Sequence, residues 1–412
     1  MNQLQRCFRW HLRRAALAAL ALAGLLCGSA AHADNLDSWN VYIGTNVTYY
    51  SNLFLLPSSA NAQLLIGTSD KSDILTATTL GLKVSKPYSL QRFELDLNLV
   101  DYRYRNFDYL NFTAPNYTAA WRWSLTPYLT GNLSSSYQES MNNFYDTRNF
   151  RQQNLRTYQN QRFDADLDLG AGWHLLGGVT QDVSENSEIF VAEGDTTINS
   201  LEAGGRYVFP SGTIVKYINR TGRGVYDNRP VPIPVVQLDN QFDQTINELS
   251  LNWPITGKTS LNGRIGWLDR SHDTFTSRDF SGTIGALSVN WNVTAKTRIS
   301  GGWTRQLSAY ETLYSSYTVT DSFYVNPVWQ MSAKTALRFR YDYATIDYKG
   351  AIEPTSLNGR NDTLNTALLA VDWQPLNALS LSATVTDSRR TSSAPDSDYK
   401  NATAGINVQF SF

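Results

Sequence analysis

Beyond an arginine-rich leader the chain keeps two histidines, His174 and His272, and no cysteine. His272 stands in Arg270-Ser271-His272-Asp273, whose side chains are those of a serine-hydrolase relay. A lone loop histidine is more simply read as solvated, so no catalytic residue is expected and the chain is not read as an enzyme. Two distant histidines without thiols also fail as a transition-metal site. Asp164, Asp166 and Asp168 offer the hard oxygens that calcium takes. Their spacing of two strings them along one strand face instead of around an ion, and polarity of a pore is the simpler reading. No cofactor and no metal are therefore expected. A net charge of −1, with no basic stripe, also excludes a nucleic-acid partner.

What remains is chemistry of recognition. Tyr137, Tyr145 and Tyr158 lie in or beside a stretch rich in Asn, Gln and Arg, and Tyr310 and Tyr314 sit in a similar one. Aromatic faces beside amide and guanidinium donors suit sugars, which present both C–H faces and hydroxyls. The competing reading is that external loops are commonly rich in Tyr and Asn. Arg92, Arg122, Arg162, Arg206, Arg264, Arg298, Arg338 and Arg340 are expected to point into a lumen and to guide an anionic polymer by long-range attraction. Glu94, Asp166, Asp168, Glu202 and Asp342 lie nearby, so mutual neutralisation stays open.

The elements that position these residues are strands. The chain ends on Ile406-Asn407-Val408-Gln409-Phe410-Ser411-Phe412, apolar at every second position. A period of two gives one greasy face and one wet face, the pattern of a strand between lipid and lumen. Phe410 and Phe412 read as the signal by which a barrel-assembly machinery recognises a closing strand. The same alternation sets Phe93, Leu95, Leu97 and Leu99 against Arg92, Glu94, Asp96 and Asn98. It also sets Phe163, Ala165, Leu167 and Leu169 against Arg162 and the three aspartates.

Eighteen such segments are expected, centred on 40–50, 74–86, 91–104, 116–125, 127–137, 161–170, 172–182, 196–209 and 212–221 in the first half. Those of the second half are 244–254, 257–269, 279–292, 295–306, 320–330, 333–346, 362–374, 377–388 and 399–412. Sixteen or twenty would also be acceptable. Short links carry turn chemistry, as in Lys86-Pro87-Tyr88 and Pro210-Ser211-Gly212, and are assigned to the periplasm. Long links such as 138–160, 183–195, 221–243, 307–319 and 387–398 become external loops. Trp121, Trp123, Trp173, Trp253, Trp291, Trp329 and Trp373 collect beside short turns, as an interfacial girdle does. Pro327 interrupts its segment and predicts a bulge or a displaced boundary.

Residues 1–33 have the layout of a cleaved secretory signal: Arg6, Arg9, Arg13 and Arg14, an apolar run Ala15–Leu26, then Ala31-His32-Ala33. Loss of those four arginines takes the net charge from −1 to −5, and Cys7 and Cys27 leave with them. Residues 34–412 are expected to form one domain. The fold class is thus all-β, a transmembrane antiparallel up-and-down barrel in the bacterial outer membrane, with lipid as its surroundings.

Several stretches resemble a known family. They are Lys86-Pro-Tyr-Ser-Leu-Gln-Arg-Phe93, Asp101-Tyr-Arg-Tyr-Arg-Asn-Phe107, Asn116-Tyr-Thr-Ala-Ala-Trp-Arg-Trp123, Asn160-Gln-Arg-Phe-Asp-Ala-Asp166 and Gly172-Trp-His-Leu-Leu-Gly177. They are similar to the EpsL family, outer-membrane proteins of exosortase-associated exopolysaccharide systems. The resemblance implies a barrel that passes exopolysaccharide across the outer membrane together with periplasmic export components. A sugar-specific or general solute porin fits the residue patterns equally well. Export predicts a wide lumen; a porin predicts an inward-folded loop, for which 138–160 is the candidate. A plugged barrel would need a larger inward segment, and Asp34–Asn40 is too short to supply it.

Overall fold

The computed structural model describes residues 39–144, 150–188, 192, 194–352 and 359–412. The leader, including the expected cleavage site, lies outside the described residues. The first nine strands are β1 (Trp39–Tyr50), β2 (Asp73–Tyr88), β3 (Gln91–Tyr104), β4 (Phe112–Thr126), β5 (Leu129–Met141), β6 (Leu155–Gly170), β7 (Trp173–Asn186), β8 (Thr196–Val208) and β9 (Ile214–Tyr226). The second nine are β10 (Gln241–Thr256), β11 (Thr259–His272), β12 (Phe280–Asn292), β13 (Thr297–Thr312), β14 (Ser315–Ser332), β15 (Thr335–Lys349), β16 (Asn361–Leu376), β17 (Leu379–Ser392) and β18 (Tyr399–Ser411). Each pairs antiparallel with its chain neighbours. The sheet closes where β1 meets β18, from Tyr42↔Ser411 to Tyr50↔Thr403. Closure removes both sheet edges, which is what lets strands cross a bilayer. No helix among the described residues is long and apolar enough to cross a membrane.

The expected eighteen strands are all present, with longer ends. Two expectations need correction. Residues 307–319 are not a long external loop: β13 runs to Thr312, Leu313 and Tyr314 turn, and β14 starts at Ser315. Pro327 causes neither a bulge nor a displaced boundary. Its register with β13 is unbroken at Ile299↔Pro327. On the other side Val325↔Tyr341 and Val328↔Arg338 keep one register across an unpaired step. The missing N–H therefore removes ladder bonding on the β15 side alone.

Directly opposed residues share a face, so the registers assign lipid and lumen. One outward row reads Phe93, Trp121, Leu133, Phe163, Val179 and Leu201 across β3 to β8, every one of them exposed. The row one residue along the same strands reads Arg92, Arg122, Asn132, Asp164, Gly178 and Glu202. Trp173, Trp253, Trp291, Trp329 and Trp373 are exposed on the outward side beside short turns, as the girdle requires. Trp123 differs. It lies over Gly131, where a Cβ would meet its ring at 2.4 Å, and stacks on Phe163 at 5.7 Å. Further along the same outward face, Tyr217 and Tyr341 donate to Asn247 and Asn365. Past them the outward face carries ion pairs such as Arg103–Asp101 and Arg305–Asp321, so the strands outrun the apolar band.

At the long-loop end the chain also folds inward. The β1–β2 link, with a short helix α1 (Ala62–Ile66), packs against lumen-facing residues of β1 to β4. Phe54 is fully buried and meets Phe107 at 4.7 Å, Phe144 at 4.8 Å and Phe150 at 5.9 Å, edge-on. Phe144 and Phe150 come from the 138–160 stretch, of which 145–149 lie outside the described residues. The large inward segment that the N-terminal residues are too short to provide is thus supplied by 51–72.

Candidate functional site

Alternation carries the site. Because adjacent strands put like-facing residues side by side, Arg92 stands directly opposite Arg122. That juxtaposition is unfavourable unless an acid divides it. Glu94 does so, 3.0 Å from Arg92 and 2.9 Å from Arg122. Arg162 lies between Asp164 at 2.9 Å and Glu202 at 2.5 Å, and Glu202 also takes Arg220. Arg206 and His174 share Asp166, each at 2.8 Å. Arg264 pairs with Glu248 at 2.9 Å. The pairs that stay partly hydrated add ~0–1 kcal/mol each to stability and act mainly by shaping the lumen's field.

Most of these groups line a cavity of about 680 Å³ in the β3–β10 side of the lumen. Among the described residues, six cationic side chains (Arg92, Arg122, Arg162, Arg206, Lys216, Arg220) and four carboxylates (Asp164, Asp166, Glu202, Glu248) line it. Lys216 has no acidic partner among the described residues, and the buried Nε of Arg206 has no hydrogen-bond acceptor. The balance at this wall is positive even though the chain as a whole is not.

All eight expected arginines are on the lumen side, but they do not form one group. Arg92, Arg122, Arg162 and Arg206 belong to the cavity wall, and Arg264 is tied to it through Glu248. Arg338 faces Asp372 at 3.3 Å and Arg340 faces Asp342 at 2.6 Å on the opposite wall. Arg298, near the short-turn end of β13, has no acid beside it among the described residues. Neutralisation therefore holds for seven of the eight.

The tyrosines scatter. Tyr137 is not a loop residue: it faces outward on β5 and stacks on Tyr117 at 6.1 Å. Tyr158 faces the lumen on β6 and donates to Asp182 at 2.8 Å. Tyr310 packs edge-on against Tyr348 at 5.1 Å, and Tyr314 is exposed in the β13–β14 turn. Tyr145 lies outside the described residues. Phe410 pairs with Ile43 and Leu379 on the outward face beside the closing seam, and Phe412 follows the last strand.

His272 corrects the expectation of a solvated loop histidine. It ends β11 with its ring buried, 3.2 Å from Asp279 and 3.5 Å from Glu311. Ser271, one residue away along the strand, belongs to the opposite face, and Asp273 pairs with Arg223 at 2.6 Å. The relay is not assembled. Among the described residues no group of three His, Cys, Asp or Glu side chains could hold a metal ion.

Sequence reasoning missed Lys216 as a lining residue and missed the inward packing of Phe54. The second had a signal: Leu53-Phe54-Leu55-Leu56 is an apolar run in a link with no lipid to face.

Comparison with known proteins agrees with this architecture. Residues 255–412 match the family model described as "Putative beta-barrel porin 2". OccK2 (OpdF) of Pseudomonas aeruginosa has the same fold, with a TM-score of 0.52 at 11% identity, over 91% of this chain and 98% of that one. A BenF-like porin of Pseudomonas fluorescens Pf-5 gives 0.51 at 13% identity, over 92% and 100%. OccK2 solved in complex with glucuronate gives 0.51 at 11% identity, over 91% and 98%. At such identities the likeness is one of fold. No curated protein matches the chain. The chain is a porin-like β-barrel of the bacterial outer membrane.

Proposed function

We propose that this barrel is a solute porin that favours small anionic solutes. One observation carries the reading: six cationic against four anionic side chains line the luminal cavity, with Lys216 and the Arg206 Nε unpartnered. A carboxylate entering there replaces water on the Lys216 ammonium without having to break a protein ion pair. The remaining pairs focus the field and raise the local concentration of anions. A structural neighbour holds glucuronate, and a sugar acid is the natural probe here. In proteoliposomes, swelling in glucuronate should be faster than in glucose, which is of similar size, and Lys216→Gln should narrow the gap. Equal rates, or faster glucose, would contradict the anionic preference.

Export of exopolysaccharide, with periplasmic export partners, is the second reading. It is favoured by the EpsL-like stretches between residues 86 and 177. The inward-folded segments at the long-loop end weigh against it, because an extended polymer needs an open mouth. Secreted polymer lost from a deletion strain while periplasmic polymer accumulates would restore it.

A further inference from the structure

The barrel wall is incomplete at one place. β12 and β13 pair only from Asn292↔Arg298 to Gly285↔Arg305. Above that step β12 continues to Phe280, still laddered to β11 through Arg270↔Phe280, and β13 continues to Thr312, still laddered to β14. Residues 280–284 therefore present an edge with no ladder partner on the β13 side, which closed barrels ordinarily abolish.

The upper β13–β14 hairpin has left that edge and turned into the lumen. Leu307, Ala309 and Tyr317 have the outward parity of Trp303 and Phe323. Yet they pack with Ile246, Leu268, Phe280 and Ile284, which face the lumen. Tyr317 stacks on Phe280 at 4.8 Å. Gly282 permits this approach, since a Cβ there would stand 2.9 Å from Leu307 Cδ2. The hairpin tip is held by polar groups. Glu311 accepts from Tyr226 at 2.8 Å and from Arg229 at 2.5 Å. The buried Arg278 donates to the carbonyls of Thr312 and Ser315 at the tip, and to those of Val236 and Gln237.

We propose that the β13–β14 hairpin is a gate: folded into the lumen it narrows the pore, and swung outward it zips onto the free edge of β12. Continuing the existing register needs no bulge. It places Ser308 opposite Gly282 and Ala309 opposite Ser281, and it returns Leu307, Ala309 and Tyr317 to the outward face, just beyond the Arg305–Asp321 pair. The same alternation thus serves both positions, and Glu311 and Arg278 are the latch of the inner one. This regulation rests on the reading of the barrel as a pore, but its test need not.

Residues 34–412 contain no cysteine, so introduced pairs report cleanly. Ser281→Cys with Ala309→Cys would be directly opposed only in the outer position, at a Cα spacing of about 4.5–5.5 Å that suits a disulfide. Gly282→Cys with Leu307→Cys are adjacent in the inner one. Both pairs should cross-link in the folded barrel, as read by peptide mapping. In planar bilayers the oxidised outer pair should hold the higher conductance level and the oxidised inner pair the lower, with reductant restoring switching. Glu311→Gln, which keeps the side-chain shape, should lengthen dwells at the higher level. Failure of the outer pair to oxidise in the folded protein would overturn the gate whether or not the barrel conducts. Oxidation of both pairs without any change in conductance would overturn it too. Absence of all conductance alongside normal cross-linking would instead reject the pore reading.

Discussion

Two segments enter the lumen at the long-loop end, and the balance of contacts that holds them differs. The 51–72 link is held chiefly by an apolar cluster: Phe54 and Leu56 are almost wholly buried and pack with Leu110 of the β3–β4 link, while the buried Asn52 bonds Leu56 and Lys400. Close-packed apolar contacts have no substitute in water, so such a segment stays where it is. The β13–β14 hairpin has a smaller apolar patch and is fixed by Glu311, Arg229 and Arg278. Their hydrogen bonds can be exchanged for water at modest net cost when the tip moves into solvent. The difference separates a filler that sets the permanent bore from a hairpin able to change it.

The comparison breaks most readily at Phe54. Phe54→Ala should cost ~3–5 kcal/mol locally and leave the strands intact. Limited proteolysis should then cut within 51–72, and baseline conductance should rise without new switching. Arg278→Met comes next. It keeps the apolar stem but leaves four carbonyls without their donor, at a cost of about 1.5–3 kcal/mol. Here switching should increase while 51–72 stays protected from protease. If Arg278→Met exposed 51–72 instead, the two segments would be one unit and the comparison would fail. Lys216→Glu should leave the melting temperature within a degree or so of wild type, since surface changes are worth about ±0.5 kcal/mol, yet it should cut glucuronate flux. The smallest effect belongs to Arg103→Ala, an exposed outward pair with Asp101 worth ~0–1 kcal/mol, and it should alter neither segment.

Much of this was legible in the sequence. Strand number, antiparallel closure and the two faces follow from alternation, because a slip of one residue would put Arg92, Glu94 and Asp96 into lipid. The tryptophans beside short turns were equally plain. Ion pairing was half legible: Glu94 is two residues from Arg92, but its second partner, Arg122, is a strand away. What could not be read is the direction in which a strand end leans. Leu307, Ala309 and Tyr317 keep the period of two whether they face lipid or the lumen, so periodicity is silent on the hairpin. Tyr137 misled for the same reason, since an outward girdle tyrosine and a loop tyrosine look alike in sequence. His272 looked solvated because the residues that bury it, Glu311 foremost, lie far along the chain.

The central claim is that the lumen of this barrel passes small anions in preference to cations. Its most direct test is the zero-current potential of the purified, reconstituted chain across a bilayer with a KCl gradient. The account predicts a potential of the sign set by chloride, moving toward zero or reversing in Lys216→Glu. A potential of the potassium sign, or a barrel that passes no ions in either variant, would contradict it.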